Sequence, residues 1–213
     1  MVIVVTGGIG SGKSFVCRII SQKYGFPVYA ADSRVRQLYV EVPELLDSLE
    51  ASLNCKIRNE DGMFQPSLLA ERIFSDRSAL ETVEKMIFPY LLKDFRNFAE
   101  SNPGPVVFES ATVLEKDYFE GFGDYVILVD APLELRVERA CRRDGAEKDK
   151  VLARVAAQPL MNAFSDGSIR NCPEGTSFAK AFKRVDRIIV NDGTEYELED
   201  SVISSVDDIL IDM

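Results

Sequence analysis

Histidine is absent from all 213 residues. That gap removes His-based nucleophile triads, imidazole zinc sites and any unperturbed side chain titrating near neutrality, so proton transfer must fall to Asp, Glu, Lys or Tyr. Cysteine is scarce: Cys17, Cys55, Cys141 and Cys172 lie far apart with no Cys-x-x-Cys pair. Such spacing argues against a disulfide framework or thiolate metal cluster and fits reduced thiols in a cytosolic protein. No apolar stretch approaches the roughly 20 residues a membrane span needs, and no basic lead precedes the apolar N-terminal run, so a soluble, cytoplasmic protein is expected. Positive charge is in the minority, with 25 Lys and Arg against 35 Asp and Glu for a net charge of −10. Neither a nucleic acid nor an anionic membrane is therefore expected as the main partner, and any anion site must be local.

What is present suffices for one substantial core with appendages. Val2 to Val5 is a short β-branched run that ends in a glycine-rich turn, and Ser14 to Tyr24 then recurs with helical spacing. Further short apolar runs at Pro27 to Ala30, Val106 to Glu109, Tyr125 to Asp130 and Arg187 to Asn191 read as strands covered on both faces. Five such runs separated by helical patterns predict an α/β fold, a parallel sheet with helices on both sides. The roughly seventy residues between the second and third strands are mostly helical in character, with Pro66 to Phe74 one segment and Ala79 to Ala99 another, interrupted by Pro89. An insertion of this length in a small α/β fold suits an acceptor site. An arginine-rich helix is expected after Pro132, with Asp130 near its cap and the proline in its first turn. Pro159 to Ser177 reads as a loop or excursion, and Tyr196 to Ile211 as a last acidic helix.

Gly7-Gly8-Ile9-Gly10-Ser11-Gly12-Lys13-Ser14 fits G-x-x-x-x-G-K-[ST] between a predicted strand and a predicted helix. Glycines let the backbone wrap so that successive N–H groups and the helix N-terminus face phosphates. Lys13 brings a point charge to the β/γ oxygens and Ser14 a hydroxyl to Mg²⁺. The loop serves kinases, GTPase switches and motors alike. Because no asparagine precedes a lysine and no Asp-x-x-Gly occurs, a GTP switch is disfavoured.

Asp32 follows the second strand, at the carboxyl edge where ligands of open α/β sheets bind, and suits the general base for an acceptor hydroxyl. The alternative is that it caps the next helix or pairs with Arg36 at i+4. Arg136, Arg139 and Arg143 fall at i, i+3 and i+7, a helix face able to fold over phosphates, with a solvated face paired to Glu134, Glu138 and Asp144 as the alternative. Glu109 ends its strand where a carboxylate holds Mg²⁺ through water, or else caps, and Glu115 follows soon after.

Taken together, Thr6-Gly7-Gly8-Ile9-Gly10-Ser11-Gly12-Lys13-Ser14, Asp32 with Arg36, Leu114-Glu115, Arg139, Arg143-Asp144, Gln158 and Asp186 to Asn191 resemble the dephospho-CoA kinase family over nearly the whole chain. Leu68, Arg72, Ile73 and Phe74 resemble a segment of its acceptor-binding subdomain. The resemblance implies phosphorylation of the ribose 3′-hydroxyl of dephospho-CoA by ATP with Mg²⁺, the last step of CoA synthesis. It also implies a three-layer α/β/α P-loop kinase with a five-stranded parallel sheet. Its core would comprise about 1–32, 104–132 and 178–213, an acceptor subdomain about 33–103 and a helical lid about 133–177. On that reading Lys13, Asp32 and Arg143 are catalytic. ATP is held by Gly8, Ile9, Gly10, Ser11, Gly12, Lys13, Ser14, Phe15, Arg139 and Asn191, and Mg²⁺ by Ser14 with Glu109. The acceptor is held by Asp32, Arg36, Arg72, Leu114 and Glu115. Monomer and small homo-oligomer both stay open.

The chain departs from the family pattern at Ala30-Ala31-Asp32 for Asp-Ala-Asp, at Phe88-Pro89 for His-Pro, and at Ala111 for the proline of Pro-Leu-Leu-x-Glu. It also carries extra residues between Gln158 and Asp186. Two further readings follow from these changes: a P-loop kinase for another small metabolite, and a nucleotide-binding protein without transferase activity.

Overall fold

Strand β1 (Val2–Thr6) occupies the middle of the sheet because its residues are apolar on both sides, and Ile3, Val4 and Val5 are fully buried. A computed structural model describes residues 1–212, and the backbone alone at 74 and 75, so the side chain of Phe74 lies outside the described residues. After β1 come α1 (Lys13–Tyr24), β2 (Val28–Ala30), α2 (Ala31–Glu41), α3 (Pro43–Leu53), α4 (Pro66–Ser75), α5 (Arg77–Ser101) and β3 (Val106–Glu109). A 3-10 turn at Asp117–Phe119 leads to β4 (Tyr125–Asp130), followed by α6 (Leu133–Asp144), α7 (Lys148–Ala156) and α8 (Pro159–Ser165). A second 3-10 turn at Ser168–Asn171 precedes α9 (Ser177–Lys183), β5 (Arg187–Val190) and α10 (Glu195–Ile211).

The sheet is parallel, in the order β2-β3-β1-β4-β5. Register pairs Val5 with Glu109 on one side of β1 and Thr6 with Leu128 on the other. The connection leaving β1 runs toward β2 and the one leaving β3 runs toward β4, in opposite directions. The carboxyl ends of β1 and β3 therefore form the crevice where open α/β sheets bind ligands.

Two compact units make up the chain: residues 1–29 with 104 onward, and Ala30–Pro103. In the first, Ile3, Val5, Val107, Ile127 and Val129 from the sheet pack with Val16 and Ile20 of α1 and with Leu198, Val202, Val206 and Ile209 of α10. The α10 positions recur at helical spacing, and Thr194 and Glu197 close a reciprocal capping box at its start. The second unit is helical. Leu45, Leu46 and Leu49 of α3 and Val83, Ile87 and Leu91 of α5 are buried, and Arg34 of α2 bonds Asp94 of α5 at 2.7 Å. No helix among the described residues is long and apolar enough to cross a membrane.

Three expectations need correction. Pro89 does not interrupt its helix, because α5 continues through it to Ser101 with Phe88 and Leu91 buried on either side. Pro159 to Ser177 is largely helical. Pro159 occupies the first turn of α8, where its missing N–H removes no helical bond, and Leu160, Met161, Ala163 and Ile169 are buried. Pro132 is the N-cap of α6 rather than a first-turn residue, and Asp130 accepts from Ser165 Oγ instead of capping that helix.

Candidate active site

The loop after β1 turns sharply enough to need glycine at two points. Gly10 (φ 75°) and Gly12 (φ 101°) are left-handed, and a Cβ at either would overlap, respectively, the Arg136 carbonyl and Asn191 Nδ2. One internal bond, Ser11 N–H to the Gly8 carbonyl at 3.1 Å, closes the curl. Among the described residues the N–H groups of Gly10, Gly12 and Ser14 donate to no acceptor. They open onto the start of α1, whose first turn carries no acidic side chain. A ring of N–H donors at an uncompensated helix N-terminus favours an anion. Lys13 Nζ lies along the loop and donates to the Gly7 carbonyl at 2.9 Å.

Ser14 and Glu109, 95 positions apart, meet at the edge of this cradle, where Ser14 Oγ donates to Glu109 Oε1 at 2.7 Å. β3 delivers the carboxylate because its last residue pairs in register with Val5, two residues before the loop. Beneath them the Cys17 thiol, 2% exposed, is pushed well up, first by burial and then by Glu109.

On the other side of the loop, buried Asn191 at the end of β5 donates from Nδ2 to the Ser11 carbonyl at 2.8 Å. Arg139 Nη1 donates to the Asn191 carbonyl at 3.0 Å. Phe15, Arg139 and Asn191 line a cavity of about 290 Å³ together with Gly12, Gly193 and Leu198. Its apolar wall and polar rim abut the loop, a shape suited to the organic part of a nucleotide. Gly193 and Leu198 escaped the sequence reading, although the Asn-Asp-Gly turn just past a strand's carboxyl end was a usable signal.

Comparison with known proteins bears on this geometry. The dephospho-CoA kinase family model (CoaE) matches residues 1–163. The chain belongs to the dephospho-CoA kinase family. Dephospho-CoA kinase of Porphyromonas gingivalis is 35% identical over 173 residues, covering 79% of this chain and 85% of that protein. Among solved structures, the Thermus thermophilus protein TT1252 superposes with a TM-score of 0.77 at 27% identity, covering 99% of this chain and 97% of its own. Dephospho-CoA kinase from Campylobacter jejuni shares the fold, with a TM-score of 0.61 at 20% identity over 98% of this chain and 96% of that one.

The arginine stripe of this dephospho-CoA kinase family member divides three ways. Arg136 is 0% exposed and packs against the loop, and Arg139 bonds Asn191. Arg143, with 59% of its side chain exposed, forks onto Asp144 at 2.7 and 3.0 Å, and Arg154 bonds the same carboxylate. The two arginines hold the Asp144 carboxyl well below the usual range. Spacing identified the stripe but could not reveal which member would be buried.

In the helical unit, Asp32 is an exposed residue in the first turn of α2. It makes no capping bond, and among the described residues it pairs with no cation, Arg36 included. That overturns the capping and Arg36-pairing alternative. Arg36 is exposed, and Arg72 pairs with Asp76 at 2.8 Å while Asp76 caps α5 through Ser78 N–H and Ala79 N–H. In the first unit, Leu114 is buried and Glu115 half-buried in the loop after β3, where Glu115 N–H donates to the Thr112 carbonyl. Arg184, which no motif singled out, anchors this loop by donating to the Val113 carbonyl at 3.3 Å and the Phe119 carbonyl at 2.8 Å.

Proposed function

We propose that this chain transfers the γ-phosphoryl group of ATP to the ribose 3′-hydroxyl of dephospho-CoA, giving CoA and ADP. The observation that carries the reading is the meeting of Ser14 and Glu109 beside an open ring of N–H donors. The open backbone N–H groups of Gly10, Gly12 and Ser14 hold the polyphosphate, Lys13 neutralises its terminal oxygens, and Phe15, Arg139 and Asn191 receive the rest of the nucleotide. Ser14 and Glu109 hold Mg²⁺. One hydroxyl and one carboxylate, with no group of three or more acidic or thiol ligands among the described residues, fit an ion that keeps its waters and binds through phosphate. Bound there, the metal supplies charge neutralisation at the transferring group.

Asp32 accepts the proton of the attacking hydroxyl, a role open to an exposed carboxylate that no cation neutralises. Arg36, Arg72, Leu114 and Glu115 bind the acceptor. Arg143 stabilises the charge that develops in transfer, exchanging its Asp144 partner for phosphate oxygens. Residues 33–103 form the acceptor subdomain, about 133–177 a lid that excludes water, and the remainder the core. Four free cysteines suit the reducing cytoplasm.

The test is ADP release with Mg-ATP across a panel of dephospho-CoA, adenylate and shikimate. Turnover confined to dephospho-CoA is expected. Turnover on either of the others with none on dephospho-CoA refutes the assignment.

A further inference from the structure

Arg136 is the largest fully buried side chain among the described residues, and the carboxylate of Asp130 is linked to it through a hydroxyl, that of Ser165. Its Nε donates to the Ile9 carbonyl at 3.1 Å, and its Nη1 donates to Ser165 Oγ at 2.9 Å. Ser165 in turn gives its proton to Asp130 Oδ1 at 2.5 Å, a far shorter bond than its 3.2 Å alternative to the Met161 carbonyl. The third arm, Nη2, is buried without a partner and lies where any side chain at Gly8 would have to go. The backbone carbonyl of Arg136 also fills the space beside Gly10. Burial pulls the guanidinium pKa down and Asp130 pushes it back up.

For packing alone, an apolar side chain of similar volume would avoid the desolvation of a charge and an unmet donor. A guanidinium can do what such a side chain cannot, which is to fix the direction of a peptide group. Holding the Ile9 carbonyl toward Arg136 turns the Gly10 N–H, which belongs to the same planar peptide, the opposite way, free to meet phosphate. On the far side of Ile9, its own N–H donates to Gln158 Oε1 at 2.8 Å, so both faces of that residue are clamped. Ser165 lies in the extra segment, just past residue 163, where the family match ends.

We infer that Arg136 is a positioning residue that presets the phosphate loop for nucleotide, and that the extra segment contributes Ser165 as the hydroxyl bridge linking Arg136 to Asp130. The inference rests on the reading of the loop as the ATP site. The extra residues thereby gain a role in nucleotide affinity rather than in the acceptor side.

The experiment measures Mg-ATP binding by calorimetry and the two KM values by ADP release, for Ser165→Ala, Ser165→Thr and Arg136→Met. Ser165→Ala should weaken ATP on the order of tenfold, the loss expected for a hydrogen bond to a charged group, and leave the acceptor KM unchanged. Ser165→Thr, which keeps the hydroxyl, should restore ATP affinity. Arg136→Met should weaken ATP at least as much, and should add nothing when combined with Ser165→Ala, since both act through one network. Unchanged ATP affinity in Ser165→Ala overturns the inference whether or not Arg136→Met folds, and so does a matched rise of both KM values that threonine fails to rescue. Absence of ATP binding by the unmutated chain would instead overturn the reading of the loop itself.

Discussion

Replacing Asn191 with alanine tests whether the loop's shape is held from β5. The side chain is 8% exposed, and Nδ2 reaches the carbonyl of fully buried Ser11 at 2.8 Å. Truncation leaves that carbonyl without its side-chain donor, a loss of about 1–3 kcal/mol. For a chain of this size each kcal/mol lowers the melting temperature by roughly 2–4 °C, so a fall of about 2–12 °C is expected. The vacated space also adjoins Gly12, so the left-handed turn loses its wall and ATP KM should rise on the order of tenfold, equivalent to about 1.4 kcal/mol. Asn191→Asp separates shape from chemistry. It keeps the volume and loses the donor, and its carboxylate faces the Ser11 carbonyl while the bond that Arg139 Nη2 already makes to Asn191 Oδ1 at 3.4 Å becomes an ion pair. Its ATP KM should therefore rise as in the alanine variant while its melting temperature falls less. Scanning fluorimetry and ATP titration at saturating acceptor measure both quantities. If both variants melt and bind ATP like the parent, the loop is not held from β5 and the reasoning fails.

Asp32→Asn should reduce kcat by at least about 10²-fold with ATP affinity and melting temperature unmoved, since Asp32 makes no capping bond to α2 and pairs with no cation among the described residues. A drop in melting temperature at full kcat would reveal a structural role instead. Glu109→Gln keeps an oxygen able to accept from Ser14 Oγ but removes the charge, so the Mg²⁺ concentration for half-maximal rate should rise about 10- to 100-fold. An unmoved Mg²⁺ titration curve would count against the assigned metal site. At pH 8, iodoacetamide should label Cys55, Cys141 and Cys172 well before Cys17, whose thiol is buried and pushed up in pKa. Early labelling of Cys17, read by mass spectrometry, would mean that α1 opens readily.

The strands were legible because a parallel strand buried on both faces is an unbroken apolar run, and Val106 to Glu109 and Tyr125 to Asp130 became β3 and β4 at those limits. The phosphate loop was legible because its glycine spacing is dictated by backbone geometry. Ser14 and Glu109 could be named separately, but their contact depends on parallel register, which no local pattern encodes. α8 was hidden by proline, asparagine and serine, residues that break helices in their middle yet are tolerated at their ends. Pro89 misled in the opposite sense, since burial of Ile87, Phe88 and Leu91 holds α5 together through a missing N–H. Helical spacing placed three arginines on one face but could not tell that Arg136 would vanish beneath the loop while Arg143 stayed in solvent.

The grip of Arg184 on the Val113 carbonyl spans 71 residues. The turn bearing Leu114 and Glu115 therefore cannot take its final form when its own residues leave the ribosome. It must wait until Arg184 has been made, and the glycine curl, although it emerges first, waits longer still, for Asn191 just past β5. On a growing chain the phosphate cradle and the Glu115 loop are thus both among the last parts to set, which makes the working enzyme a late event in its own synthesis.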